Sequence, residues 1–227
     1  ADMVFRCDVI HIPFSQCNKY LKDNYIKTIF KYGLDSLPVP NTAWRHQTSK
    51  KAVELVLYST SKSELEQNAS NTDGVVRYLL TSGNNMLFNE KLELVSDDSS
   101  NSVVKICQEV KGVFEKNKNE SSINLADKFK YFVDPEYGYY QNRLCMGALA
   151  FALRPYVDKL YTSGNGQRID KTVMKDVVVA IFNYWENSKF NDKFVVRMST
   201  EEERALTDKL NIILGISEQD GLLGTKW

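Results

Sequence analysis

The feature that most constrains the fold is the run from Leu144 to Leu153, LCMGALAFAL, which carries no charged side chain. A helix that is apolar on every face must be buried on every face. The run is about half of the ~20 residues that a membrane span needs, so burial inside a protein core is the expected outcome. Because small residues allow close helix contact, we expect this to be a central helix in which Ala148, Phe151 and Ala152 are fully buried.

Apolar residues elsewhere recur mostly at helical spacing, and short β-branched runs lie between these stretches. The predicted helices are 15–33, one starting at Thr48 or Ser49, 73–82, 103–114, 125–132, one after Asp170 and one after Ser199. The predicted strands are 3–14, 86–88, 91–95 and 193–198. The pattern therefore predicts an α+β fold that is mainly α-helical with short β-hairpins.

The order of these segments favours division into smaller units. A helix followed by two short strands, over residues 73–95, is the closing half of a winged helix, and it is also common in other α+β folds. We predict an N-terminal unit over residues 1–95, a connecting helix and linker over 96–122, and a helical C-terminal unit over 123–227. The units are interpreted as tandem winged-helix-like folds.

The tetrapeptide TSGN occurs twice, at Thr81–Asn84 and Thr162–Asn165, each time after an apolar stretch. A glycine in the left-handed region commonly ends a helix, so both copies are predicted to be helix-ending turns. Pro155 predicts a kink, with an amphipathic helix resuming over 156–161. The two copies also raise the hypothesis of a distant internal duplication. Neither copy has the spacing of a phosphate-binding loop.

The charges balance, with 29 Lys plus Arg and 29 Asp plus Glu. Long-range attraction to nucleic acid is therefore absent, and any contact with DNA depends on local clusters. Basic residues lie near aromatic ones in two stretches, which also fits solvated helix faces. The candidate nucleic-acid-binding residues are Arg45, Lys50, Lys51, Arg143, Arg154 and Arg168.

Candidate metal ligands are Cys7, His11, Cys17 and His46, whose types suit zinc. Their spacing matches no common zinc motif, so we predict buried thiols and no metal. The four cysteines form no disulfide pattern and are expected to be reduced, as in a cytoplasmic protein.

No catalytic residue is predicted. Cys145 lies in the all-apolar helix, where burial makes a thiol inert. The carboxylates at Asp97–Asp98 and Glu201–Glu203 stand at predicted helix starts, where they stabilise the helix dipole; Ser199 and Glu202 have capping-box spacing. We predict no cofactor and no membrane partner, and the sequence does not define a small-molecule ligand.

The segments NSVVKICQEV, DPEYGYYQNRLCMGALAFALRPYVDKLY and LLGTKW resemble internal segments of very large multidomain bacterial ATP-binding proteins associated with phage defence and restriction-like operons. In such proteins the nucleotide chemistry lies elsewhere in the polypeptide. The resemblance implies an accessory helical or winged-helix module whose partners are other domains of the parent protein. The chain begins at Ala1 and stops at Trp227, which also favours a piece of a larger protein.

The sequence thus predicts a non-catalytic interaction or nucleic-acid-recognition module, with DNA as a candidate partner. The alternative is an accessory fragment of an ATPase or nuclease that completes an active site with another domain.

Overall fold

The computed structural model describes residues 4–7, 10–34, 49–69, 79–82 and 85–214. The α-helices of these ranges are α1 (Phe14–Leu21), α2 (Lys27–Ile29), α3 (Ser49–Tyr58), α4 (Lys62–Asn68), α5 (Ser102–Lys116), α6 (Leu125–Lys128), α7 (Arg143–Leu153), α8 (Lys171–Asn187) and α9 (Glu201–Leu214). The strands are β1 (Val4–Cys7), β2 (Ile10–Pro13), β3 (Thr81–Ser82), β4 (Asn85–Met86), β5 (Ile123–Asn124), β6 (Leu160–Thr162) and β7 (Val195–Met198). The predicted mainly helical α+β class is confirmed.

The apolar run forms α7, and each of its residues is buried, as predicted. Asn142 caps the helix by accepting hydrogen bonds from the amides of Leu144 and Cys145 at 2.8 and 2.9 Å. Helices α3, α5 and α8 pack around it. A Cβ added at Gly147 would lie only 2.9 Å from Cδ1 of Leu79, so α7 packs closely against this leucine at its glycine.

Helices α3 and α8 run antiparallel beside α7. The hydroxyl groups of Tyr58 and Thr172 are 2.9 Å apart, and Lys175 pairs with Glu54 at 3.2 Å. The apolar residues of α3 recur at helical spacing, and Ala52, like its apolar neighbours on the same face, is fully buried, as predicted. Helix α3 is therefore held by apolar packing along one face and by polar contacts to α8 in its C-terminal half.

A small antiparallel sheet covers one side of the helices, in the order β5-β7-β6. Val196 on the central strand pairs with Ile123 on one side and with Thr162 on the other. The predicted strand at 193–198 is confirmed as β7, preceded by a single 3₁₀ turn over Asp192–Phe194.

Other predicted elements were wrong in type or extent. The single strand expected over residues 3–14 is an antiparallel hairpin, in which Val4 pairs with Pro13. The helix expected at 156–161 does not form, because Leu160–Thr162 pairs with β7 as strand β6. Predicted helix 125–132 is split into α6 and a 3₁₀ turn over Lys130–Val133.

Neither TSGN copy is a helix-ending turn. Thr162 is the last residue of β6, and its amide donates to the carbonyl of Gln167 at 2.8 Å, which closes a hairpin turn. Thr81–Ser82 forms β3, which pairs with Asn85–Met86. Residues 83 and 84 lie outside the described ranges. The glycines led to a prediction of turns, but the sequence pattern did not predict the strand pairing on each side.

The capping box predicted for α9, Ser199 with Glu202, lies one residue before the capping box that forms. Thr200, not Ser199, accepts from the amide of Glu203 at 3.1 Å, and Glu203 accepts in return from the amide of Thr200 at 3.0 Å. These bonds, with the Arg197 guanidinium, hold the pKa of Glu203 below its usual range.

Buried residues of all three predicted segments meet in one apolar core, which extends from Leu34 to Val196. The division at residues 95 and 122 stays a prediction, as do the winged-helix-like units. Within the described ranges, no helix is long and apolar enough to cross a membrane.

Candidate interaction groove

A largely apolar groove of about 260 Å³ opens on the described surface between two segments that are distant in sequence. We call it the aromatic groove; its lining is Ile26, Phe30, Gly33, Leu34, Tyr137, Gly138, Tyr140 and Cys145. Two of these lining residues are partly open to solvent, with Ile26 37% exposed and Tyr140 51% exposed. Exposed apolar surface that gathers around a concavity marks binding sites more often than scattered single residues do.

One wall of the aromatic groove depends on a glycine. Gly138 has φ of 64°, a conformation that L side chains rarely adopt. A Cβ at this position would also lie 2.5 Å from Cδ1 of Phe30. The turn Pro135–Gly138 therefore brings the tyrosines against α2 only because residue 138 has no side chain.

The opposite wall follows a π-helical turn, Lys22–Ile26, which lies between α1 and α2. A π-turn inserts an extra residue into the helical repeat, and such turns are frequent at functional sites. Ile26 is the last residue of this π-turn and Phe30 follows α2, and both side chains line the groove.

A tyrosine cluster supports the groove from behind. The rings of Tyr32 and Tyr137 lie 5.4 Å apart, and those of Tyr131 and Tyr137 lie 5.8 Å apart. Tyr131 donates to Glu109 at 3.2 Å, and Glu109 pairs with Lys105 at 2.7 Å. Burial, together with the charge of Glu109, raises the pKa of Tyr131 and Tyr137, so both phenols stay neutral and can donate hydrogen bonds.

The predicted basic residues do not come together as one patch. Arg143 is only 1% exposed, although its charge favoured a surface position. Arg154 is half-buried and donates to the carbonyls of Val56, Leu57 and Ser59, the last at 2.7 Å, and so caps the end of α3. Arg143 is thus buried and the Arg154 guanidinium is engaged by α3 carbonyls, while nucleic-acid binding by either residue stays a prediction.

The other basic candidates are accessible where they are described. Lys50 and Lys51 are exposed at the first turn of α3. Arg168 is exposed and pairs with Asp158 at 3.1 Å. Arg45 lies outside the described residues.

The candidate zinc ligands are only partly described, since His46 and the side chains of Cys7 and His11 lie outside the described set. Cys17 and Cys145 are buried and Cys107 is partly buried, and these three described thiols form no disulfide with one another. Among the residues whose positions are described, no three His, Cys, Asp or Glu side chains are placed to hold a metal ion. Burial raises the pKa of Cys107 to about 12, which leaves it protonated and unreactive.

The aromatic groove was not predicted from the sequence. Its two walls are separated by about a hundred positions, and each wall alone has an ordinary helical or turn pattern. A local signal existed in the turn PEYGYY, where a glycine is surrounded by tyrosines. That turn indicated an aromatic surface, but it did not indicate that the segment around Phe30 forms the opposite wall.

The fold is that of a mainly helical α+β protein, and an apolar groove opens on its described surface. No known protein family, curated protein or solved structure matches the chain.

Proposed function

We propose that this chain is a non-catalytic interaction module of a larger cytoplasmic bacterial protein, and that the aromatic groove is its binding surface. The supporting observation is the concave apolar lining, in which Ile26 and Tyr140 are 37% and 51% exposed and which also includes Phe30. Burying one such side chain against a partner contributes roughly 1.5–3 kcal/mol.

The proposed partner is a protein segment that inserts an aliphatic or aromatic side chain. A volume of about 260 Å³ suits one or two such side chains. The neutral tyrosines behind the groove keep its floor uncharged, since Glu109 is already paired with Lys105. The surface therefore favours an apolar anchor over a charged one.

The alternative of an ATPase or nuclease accessory fragment would need a charged or nucleophilic side chain that faces a cleft. Cys145 lines the groove, but its thiol is buried and accepts a hydrogen bond from Asn142 at 3.1 Å. No described contact favours this alternative.

Peptide selection tests the proposal. A random peptide library displayed on phage is selected against the full chain, and the enriched peptides are measured by fluorescence anisotropy. We expect a consensus with one large apolar residue, and at least about 10-fold weaker binding by Ile26→Ser and Tyr140→Ser.

The matched control is Val95→Ser, which changes a 57% exposed apolar residue outside the groove and should bind like the parent. If no consensus emerges, or if the consensus peptides bind the groove variants as tightly as the parent, the aromatic groove is not a binding surface.

A further inference from the structure

A second opening, separate from the aromatic groove, lies where α8 ends and β7 begins. It is a cavity of about 410 Å³ whose lining is Ala180, Asn183, Asn187, Lys189, Phe190 and Asn191. This amide cavity combines carboxamides, an aromatic ring and one ammonium group. None of these residues was singled out by the sequence analysis.

The aromatic ring is held at the surface. Ser188 ends α8 in the left-handed conformation, with φ of 54°, and turns the chain away from the helix axis. Phe190 is 66% exposed, yet its ring packs edge-on against the buried Phe194, with centroids 5.4 Å apart and an angle of 82°. A ring that is fixed on one side and open on the other is suited to stacking.

The carboxamides beside the ring offer both donors and acceptors. Asn183 accepts a hydrogen bond from Gln141 at 3.4 Å, and Asn191 accepts one from the amide of Lys193 at 2.9 Å. These two bonds orient the Asn183 and Asn191 side chains. Asn187 makes no side-chain hydrogen bond to any described residue. Both its oxygen and its nitrogen are therefore available, which is the pair that recognises the N6 and N7 edge of adenine.

Positive charge is found at the same end of the helix pair. In the antiparallel pair of α3 and α8, Tyr58 lies opposite Thr172, and Glu54, one turn earlier in α3, lies opposite Lys175. Continued by one more turn, this antiparallel register brings Lys50 and Lys51 level with about Ala180, which lines the amide cavity. Both lysines are exposed, and they stand at the positive end of the α3 dipole.

From these observations we infer that the amide cavity binds an adenine base of single-stranded nucleic acid. Phe190 stacks on the base, Asn187 reads its edge, and Lys189 with Lys50 and Lys51 contacts the flanking phosphates. The site uses a different surface from the aromatic groove and does not depend on the interaction role proposed for it. A balanced net charge does not oppose it, because stacking and local contacts provide the affinity.

Fluorescence anisotropy with labelled dA10, at low and at moderate salt, tests the inference on the full chain. We expect saturable binding that is weaker for dT10. Phe190→Ala should weaken dA10 binding by about 5- to 150-fold, Phe190→Trp should retain it, and Asn187→Ala should reduce the preference for dA10 over dT10. Val95→Ala is the matched control, and unfolding midpoints check that each variant is folded.

Salt dependence tests the phosphate contacts. Replacing Lys50 and Lys51 with alanine should reduce the slope of log K against log salt by about 1.4, or ~0.7 for each lost contact on a single strand. Competition with AMP distinguishes a strand from a free nucleotide, since AMP that binds as tightly as dA10 would overturn the assignment to a strand. Absence of dA10 binding, equal binding of dA10 and dT10, or unchanged binding by Phe190→Ala would each overturn the inference.

Discussion

The ring of Phe151 stacks on the ring of Phe88, with centroids 4.5 Å apart and an angle of 23° between the planes. Phe151 is on the central helix α7, whereas Phe88 belongs to the narrow hairpin where it pairs with Leu94. Both side chains are buried. This contact attaches the hairpin to the helix that the rest of the core surrounds.

Phe151→Ala is expected to lower the free energy of unfolding by about 3–5 kcal/mol, because it opens a cavity beneath the hairpin. Urea denaturation followed by circular dichroism measures the loss. Val95→Ala, which truncates an exposed residue of the same hairpin region, should change the stability by no more than about 0.5 kcal/mol. An unchanged midpoint for Phe151→Ala would mean that this face of α7 is not part of the core.

Arg154 gives a second stability test, since its guanidinium donates to carbonyls at the end of α3. Arg154→Met retains the apolar part of the side chain and removes these charge-assisted hydrogen bonds, so we expect a loss of about 1.5–3 kcal/mol. Arg168→Met is the control: its ion pair with Asp158 is exposed and should contribute at most about 1 kcal/mol. Equal effects in denaturant melts would contradict the capping role.

The sequence predicted the helices well where one periodic pattern decided the structure. A run that is apolar on every face correctly predicted α7, and apolar residues at helical spacing correctly predicted the buried face of α3. It failed at Leu160–Thr162, where the strand exists only because it pairs with a segment more than thirty positions later. Local patterns do not contain that pairing.

The same limit explains which features of the candidate sites the sequence did not show. Arg143 is buried because it follows the cap of the central helix, although an arginine alone favours exposure. The two walls of the aromatic groove meet only in the folded chain. The amide cavity was missed because Phe190 has an ordinary loop setting in the sequence, and its exposure follows from the turn at Ser188.

The purified chain is expected to contain no stoichiometric zinc. The spacing of Cys7, His11, Cys17 and His46 matches no common zinc motif, and burial of Cys17 favours a structural thiol. Elemental analysis after dialysis without chelator measures the metal content. One zinc per chain, lost on Cys17→Ser, would show that these four residues form a site.

The isolated chain is also expected neither to hydrolyse ATP nor to cleave DNA. It has no phosphate-binding loop, and Glu203, one of the predicted helix-start acids, is engaged in the cap of α9. Phosphate release and plasmid nicking measure the two activities. Turnover that persists through purification and disappears on a single substitution would favour the ATPase or nuclease alternative.

Alkaline pH should destabilise the protein through its buried phenols. Burial raises the pKa of Tyr156 to about 12, and its ring stacks on Phe114 with centroids 3.9 Å apart. In the unfolded chain a tyrosine titrates near pH 10, so the unfolded state loses its proton first as the pH rises. The stabilisation of the folded state by the neutral phenol of Tyr156 is therefore complete below about pH 10 and is lost between about pH 10 and about pH 12. Tyr131 and Tyr137, whose pKa values are also raised by burial, act in the same direction.

Urea midpoints measured across this pH range, beside the tyrosinate absorbance, test this dependence. Tyr156→Phe keeps the stacked ring and removes the titrating group, so its stability should decline less steeply above pH 10 than that of the parent. Tyr140→Phe changes a 51% exposed residue and should follow the parent curve. Parallel curves for Tyr156→Phe and the parent would show that Tyr156 is solvated in the folded protein and that its ring does not form the buried stack with Phe114.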